Sequence, residues 1–153
     1  MTQRFAVIAT ILLASITCWT QAETSNKNKK EVPAASQKGY RSSPAYAELL
    51  LRRTELSSNL ESLVLEYTEE FPKVKEIRHV LTLIDRETER IAKVKDVDVS
   101  KLTLALGKLL VRKIELETEL WSLQKNYKDE HPDVKRAKRK VEIYETAISE
   151  ILI

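Results

Sequence analysis

The chain has 153 residues, 32% charged and 42% hydrophobic, with only two Gly and four Pro. So few breakers among so many Leu, Glu, Lys and Arg favour helix over sheet, and the length suits one modest domain. A formal net charge of +3 is too small to imply a polyanionic partner by itself, and a single cysteine, Cys18, excludes an intramolecular disulfide.

Residues 1–22 read as a secretory signal peptide. Arg4 supplies the positive n-region, Phe5 to Ile16 form an apolar run short for a membrane span, and Thr20-Gln21-Ala22 is an imperfect small-x-small cleavage site. Cleavage there removes one positive charge, so the +3 of the chain becomes +2. The alternatives are lipidation at Cys18, although Ser15-Ile16-Thr17 is a poor lipobox, and an uncleaved N-terminal anchor. The expectation is therefore an exported protein, periplasmic or extracellular. Residues 23–43 read as a flexible basic linker, rich in Ser, Asn, Lys and Gln, with Pro33, Gly39 and no apolar period. Its Lys27, Lys29, Lys30, Lys38 and Arg41 oppose only Glu23 and Glu31. That balance suits a solvated tether, or else an arm touching anionic phospholipid or acidic glycan.

Order begins at Ser43-Pro44, a good N-cap followed by proline at the first helical position. Tyr46, Leu49, Arg53, Leu56, Leu60, Leu63 and Tyr67 then alternate in threes and fours, the a/d seam of a helix over roughly 44–69. Pro72 opens a second helix, with the seam Val74, Ile77, Leu81, Ile84, Thr88 and Ile91, running to about Val94. Lys95-Asp96-Val97-Asp98 breaks the period, and Asp98 or Ser100 is the predicted cap of a third helix. Its seam is Leu102, Leu106, Leu109, Lys113, Leu116, Leu120, Leu123 and Tyr127. A fourth follows His131-Pro132, with Val134, Ala137, Val141, Tyr144, Ile148 and Ile151.

The two halves repeat without a gap at an offset of 60 positions. Leu49/Leu109, Arg52/Arg112, Glu55/Glu115, Leu60/Leu120, Tyr67/Tyr127, Pro72/Pro132 and Val74/Val134 are among the identities. The predicted fold is all-α: two tandem antiparallel helical hairpins, over 44–95 and 98–153, folded at Phe71-Pro72 and His131-Pro132. Leu50, Val64, Val80, Leu110 and Ile114 lie off the primary seam and are candidates for a contact between hairpins or with another chain. Each first helix places a cation on its seam. Fold-back sets Arg53 near Asp85, Glu87 and Glu89, and Lys113 near Glu145, so both are expected to snorkel to those acids.

The stretch Leu116-x3-Leu120-x2-Leu123-x3-Tyr127-x3-His131-Pro132-Asp133-Val134-Lys135, with Val141 and Tyr144 beyond, resembles the periplasmic coiled-coil segment of bacterial polysaccharide co-polymerases, the chain-length determinants and exopolysaccharide transport proteins. The likeness covers about 105–151, and more weakly 45–91, where Phe71 replaces His131 and Lys73 replaces Asp133. It implies a helical hairpin projecting into the periplasm and an envelope-glycan context. The chain departs from that family in showing no C-terminal membrane helix, no evident membrane-proximal α/β domain and no G-x-x-x-x-G-K-[ST] loop. The resemblance is therefore to the hairpin module.

No catalytic constellation, metal-ligand spacing or cofactor motif emerges, so the expectation is a non-enzymatic protein without a cofactor. Tyr67, Phe71, Pro72, Tyr127, His131 and Pro132 form the corners. His131 is alone, precedes proline and has Phe71 as its counterpart, which makes it a turn-packing ring rather than a ligand or base. Glu69-Glu70 and Asp129-Glu130 sit at helix ends, where solvated termini are the simpler reading than acid–base work. Trp121 replaces Glu61 of the first repeat and is the candidate contact with the other hairpin or a partner. Lys135, Arg136, Lys138, Arg139 and Lys140 are either a solvated face or an anionic-ligand face for glycan or lipid; nucleic acid is not expected, because aromatic interleaving is absent. The sequence thus points to an envelope scaffold or assembly protein with protein partners or self-association, linked in context to polysaccharide export, with anionic glycan or lipid binding as the alternative.

Overall fold

The computed structural model describes residues 36–153; the predicted signal peptide, and residues 23–35 of the predicted linker, lie outside the described residues. The fold is all-helical. Helix α1 spans Ser36–Arg41, α2 Pro44–Glu66, α3 Pro72–Ala92, α4 Leu104–Gln124 and α5 Pro132–Leu152, with a 3-10 turn over Asp96–Lys101 between α3 and α4.

Helix α1 corrects the linker reading at residues 36–41. A lone aromatic anchors it. Tyr40 is buried and meets Tyr46 edge-on, with ring centroids 5.5 Å apart. Gly39 lies so close to the 3-10 turn that an added Cβ would stand 3.3 Å from Val99 Cγ2. One buried ring creates no apolar period, which is why the segment reads as linker in sequence.

Helix α2 starts at Pro44 as predicted, its N-cap Ser43 accepting from Tyr46 N at 3.3 Å while donating to Tyr40 O at 2.6 Å. It ends at Glu66 because Tyr67 turns extended, with φ −124° and ψ 154°. Helix α4 begins later than predicted, and Thr103, not Asp98 or Ser100, is its cap. Leu102 explains the delay. It is 1% exposed, and its carbonyl accepts from Ala45 N at 3.2 Å. Pinning that residue to the base of α2 holds the preceding six residues in the tighter turn.

α2 and α3 run antiparallel: Arg53 Nε donates to Asp85 at 3.0 Å, and further up Arg78 Nε donates to Glu69 at 2.8 Å. α4 and α5 do the same, with Lys113 near Glu145 at 2.5 Å and Lys140 near Glu119 at 3.9 Å. α4 also rests on α2 and α3, while α5 packs chiefly on α4. α2 and α4 ascend together, since Gly107 lies beside Ala45 and Glu48 at the base while Arg52 and Leu56 share a groove with Arg112 and Ile114 above. The core lies where α2, α3 and α4 meet, around Leu49, Leu56, Ile77, Leu83, Ile84, Leu106 and Leu110, with Ile148 of α5 joining it. Of the off-seam residues, Val80, Leu110 and Ile114 are buried as a second contact requires, but Leu50 and Val64 remain exposed.

The close approach of α2 and α4 depends on Gly107. A Cβ there would sit 2.9 Å from the Ala45 Cα, a backbone atom that cannot swing aside. Exposed Gly→Ala in a helix normally stabilises by about 1 kcal/mol, whereas overpacking a tight contact costs about 1–3 kcal/mol. Gly107→Ala should therefore lower the thermal midpoint; a rise would show that α2 and α4 do not touch there.

Candidate functional site

The densest polar cluster sits where α3, α4 and α5 converge. Glu87 of α3 is 1% exposed and Lys113 of α4 is 5% exposed. Lys113 Nζ lies 2.8 Å from Glu87 Oε1, 2.5 Å from Glu145 Oε2 and 3.6 Å from Glu117 Oε1. Arg86 spans Glu87 and Glu117 at 3.1 and 2.5 Å, and Arg90 reaches Glu145 at 2.9 Å. Three cations thus face three carboxylates. Among the described residues Glu87 Oε2 has no hydrogen-bond partner, only the Arg90 guanidinium at 3.6 Å.

Arg53 and Lys113 differ sharply although they are repeat equivalents. Arg53 pairs with Asp85 while half exposed, as snorkelling predicts. Lys113 does reach Glu145, but it does not snorkel: it is enclosed, and it takes Glu87 from the other helix pair. Fold-back alone assigns Glu87 to Arg53; the packing of α4 onto α3 assigns it to Lys113.

Electrostatics follow the contacts. Partial burial pushes the Glu145 carboxyl up, but hydrogen bonds from Arg90 and Lys113 and their charges outweigh it and bring it down to about 2. Burial pushes the Lys113 ammonium down, and its hydrogen bonds to Glu145 and Glu87 more than offset this, leaving it raised. Burial likewise pushes the His79 imidazole down; Glu117 opposes the shift, while Lys125 and Arg86 reinforce it.

Trp121 finds a partner inside the chain. Its ring stacks on His79 of α3 at 4.4 Å and 13°, with Nζ of Lys125, the residue just past α4, 3.2 Å from its centroid. The corners repeat one another: Tyr67 stacks on Phe71, and Tyr127 on His131, each with centroids 4.2 Å apart. His131 therefore packs the turn, and its Nδ1 also accepts from Asp133 N at 3.2 Å, capping α5 as Phe71 cannot cap α3. Pro72 and Pro132 each open the next helix. The corner carboxylates are tied up locally: Glu69 by Arg78, Glu70 by Lys75, and Asp129 by Gln124 and Lys138, which hold the Asp129 carboxyl below its usual range.

The basic face is spread over neighbouring acids. Arg136 pairs with Asp133, Lys138 with Asp129 at 3.0 Å, Arg139 with Glu142 at 3.1 Å and Lys140 with Glu119 at 3.9 Å. Lys135 is exposed and makes no ion pair among the described residues. The grooves are shallow. One of about 340 Å³ lies between α2, α3 and α4, floored by Leu56, Ile77, Val80 and Ile114 and rimmed by Arg52, Arg112 and Glu115. Among the described residues no group of His, Cys, Asp and Glu has the arrangement of a metal site, and no described helix is long and apolar enough to cross a membrane.

Comparison with family models, curated proteins and solved structures yields no match. The residues that join the helix pairs, His79, Glu87 and Trp121, have a signal in the sequence all the same. Sixty positions away stand Arg139, Ala147 and Glu61, so each joining residue breaks the repeat in chemical type.

Removing one member of a buried ion pair typically costs about 3–5 kcal/mol, whereas replacing both members by apolar residues is often neutral. Lys113→Leu should destabilise strongly in denaturant unfolding, and Glu87→Leu added to it should recover most of the loss. Additive losses would mean that the two charges do not interact. Acid should also loosen the fold. Glu145 has a folded pKa of about 2, below the ordinary 4.5, so its contribution is complete above pH 4.5 and is lost as pH falls towards 2. Glu145→Gln should flatten the dependence of the thermal midpoint on pH in that window; an unchanged slope would contradict the pairing.

Proposed function

We propose that the chain is a non-enzymatic scaffold or assembly factor of the bacterial cell envelope, built as two tandem antiparallel coiled-coil hairpins and acting through helix-to-helix contacts. The observation that carries this reading is the outer surface of α2, where Leu50, Leu51, Val64 and Leu65 are all exposed. Large apolar side chains gathered on one amphipathic helix are suited to covering by another helix. Export rests on the signal-peptide pattern of residues 1–22, and the link to polysaccharide export rests on the resemblance of the Tyr127–Lys135 corner to co-polymerase hairpins. The ion pairs along Lys135–Lys140 favour a solvated face over an anionic-ligand face, because four of its five cations already have acid neighbours.

Photo-crosslinkers placed at Leu65 and Lys138 in the full chain, followed by affinity capture from cells, test the proposal. Recovery of envelope proteins through Leu65, insensitive to moderate salt, is the expected outcome, with polysaccharide-export components specifying the context. Capture dominated by anionic glycan or lipid at Lys138, and collapsing with ionic strength, would replace the scaffold reading with the ligand-binding one.

A further inference from the structure

The joint between the two helix pairs has unused counterparts on both sides of the molecule. Within the chain, α4 lies on a face of α3 that carries His79, Leu83, Arg86 and Glu87; these receive Trp121, Glu117 and Lys113. Sixty positions on, α5 carries Arg139, Ile143, Thr146 and Ala147, which with Glu150 line an open groove of about 330 Å³. Leu83 is 7% exposed, but Ile143 is 54% exposed. The other half of the joint shows the same contrast. Leu110 of α4 is fully buried, whereas its identical counterpart Leu50 on α2 is 45% exposed.

Resting on the scaffold reading above, we propose that the partner is a second copy of this chain: α2 of one protomer seats on α4 and α5 of the next, in the register that α4 takes on α2 and α3. Leu50 then occupies the place of Leu110, level with Glu150 in the place of Arg90, and Ile143 takes the place of Leu83, about two turns further along and level with Ser57 in the place of Glu117. Glu61 takes the place of Trp121 and faces Arg139 in the place of His79, so an ion pair replaces the aromatic stack. Arg53 takes the place of Lys113 and approaches Ala147 and Glu150. The charges match where the apolar contacts thin out. Among the described residues Arg139 is held only by the exposed contact to Glu142, which competes weakly.

Three features make this joint weaker than the internal one. Ala47 stands where α4 has Gly107, so the close approach to the next helix is blocked by a methyl group. Lys140 stands where α3 has Val80. Tyr40 and Arg41 of α1 share the lower end of the Leu50 face. The association is therefore concentration-dependent, and because the two faces differ, copies join head to tail rather than as a closed pair.

Sedimentation of the purified exported protein, over a range of concentrations, tests this. The expected result is reversible association beyond the dimer, weakened at least tenfold by Leu50→Glu and by Ile143→Glu, with circular dichroism unchanged. Glu61→Arg should weaken it and Arg139→Glu in the same chain should restore it, while Ala47→Gly should strengthen it. A chain that stays monomeric, association indifferent to Leu50 and Ile143, or Leu50→Glu lowering the thermal midpoint of a monomer each overturns the proposal; the last would mean that the chain's own segment covers α2. The scaffold reading fails separately, when crosslinking in cells captures no envelope protein.

Discussion

The buried contact of Lys113 with Glu87 is the constraint on which the arrangement of helices depends. Two charges have been taken out of water at a site where three helices meet, and desolvating each costs several kcal/mol. The geometry offsets that cost only when α3, α4 and α5 are all in place, because Lys113 needs both Glu87 and Glu145. Apolar residues would hold the same helices together with comparable strength, but Leu and Val tolerate sliding and rotation, and a three-way charge contact does not. The pair therefore fixes register more than it adds stability. Arg53 and Asp85 supply the comparison: the same seam position, half exposed, makes a pair that water screens and that ties only α2 to α3.

Around that point the rest of the molecule is simple. Both corners use one device, a Tyr ring stacked on the aromatic four residues on, with proline opening the next helix. The base is held by small contacts: Gly107 against Ala45, the Leu102 carbonyl on Ala45 N, and Tyr40 against Tyr46. These contacts lie far from the corners in space and are independent of the ion pair. Loss of any one of them should loosen the base without altering which helix faces which.

How much of this was legible depended on whether a residue acts within one helix pair or between two. The starts of α2, α3 and α5 could be read from Pro44, Pro72 and Pro132, because proline fixes the local backbone whatever surrounds it. The pairing of Arg53 with Asp85 and of Lys113 with Glu145 followed from folding each seam back on itself. The periodic pattern misplaces the start of α4 because Leu102 is held by α2, a tertiary cause with no local signature. Helix α1 reads as linker because its order comes from one buried ring. Fold-back gives Glu87 to the wrong cation because a heptad describes one seam, while a side chain at the edge of that seam is free to serve a second.

The same logic explains why the exposed faces are informative. A duplicated unit that packs side by side, with α2 and α4 parallel, cannot satisfy both of its lateral faces within one chain. One joint forms, and one face is left over at each end, whatever the sequence. Natural surfaces can blunt such leftovers with charge or with bulk, and Lys140 and the Ala47 methyl group go part of the way. Leu50 and Ile143 do not: they keep the size of their buried counterparts Leu110 and Leu83 while standing in water. An internal joint loses no translational entropy when it forms, whereas the same contacts between separate chains must overcome several kcal/mol of it. A joint that is firm inside the chain and reversible between chains is therefore the expected consequence of repeating one interface under two different entropic costs.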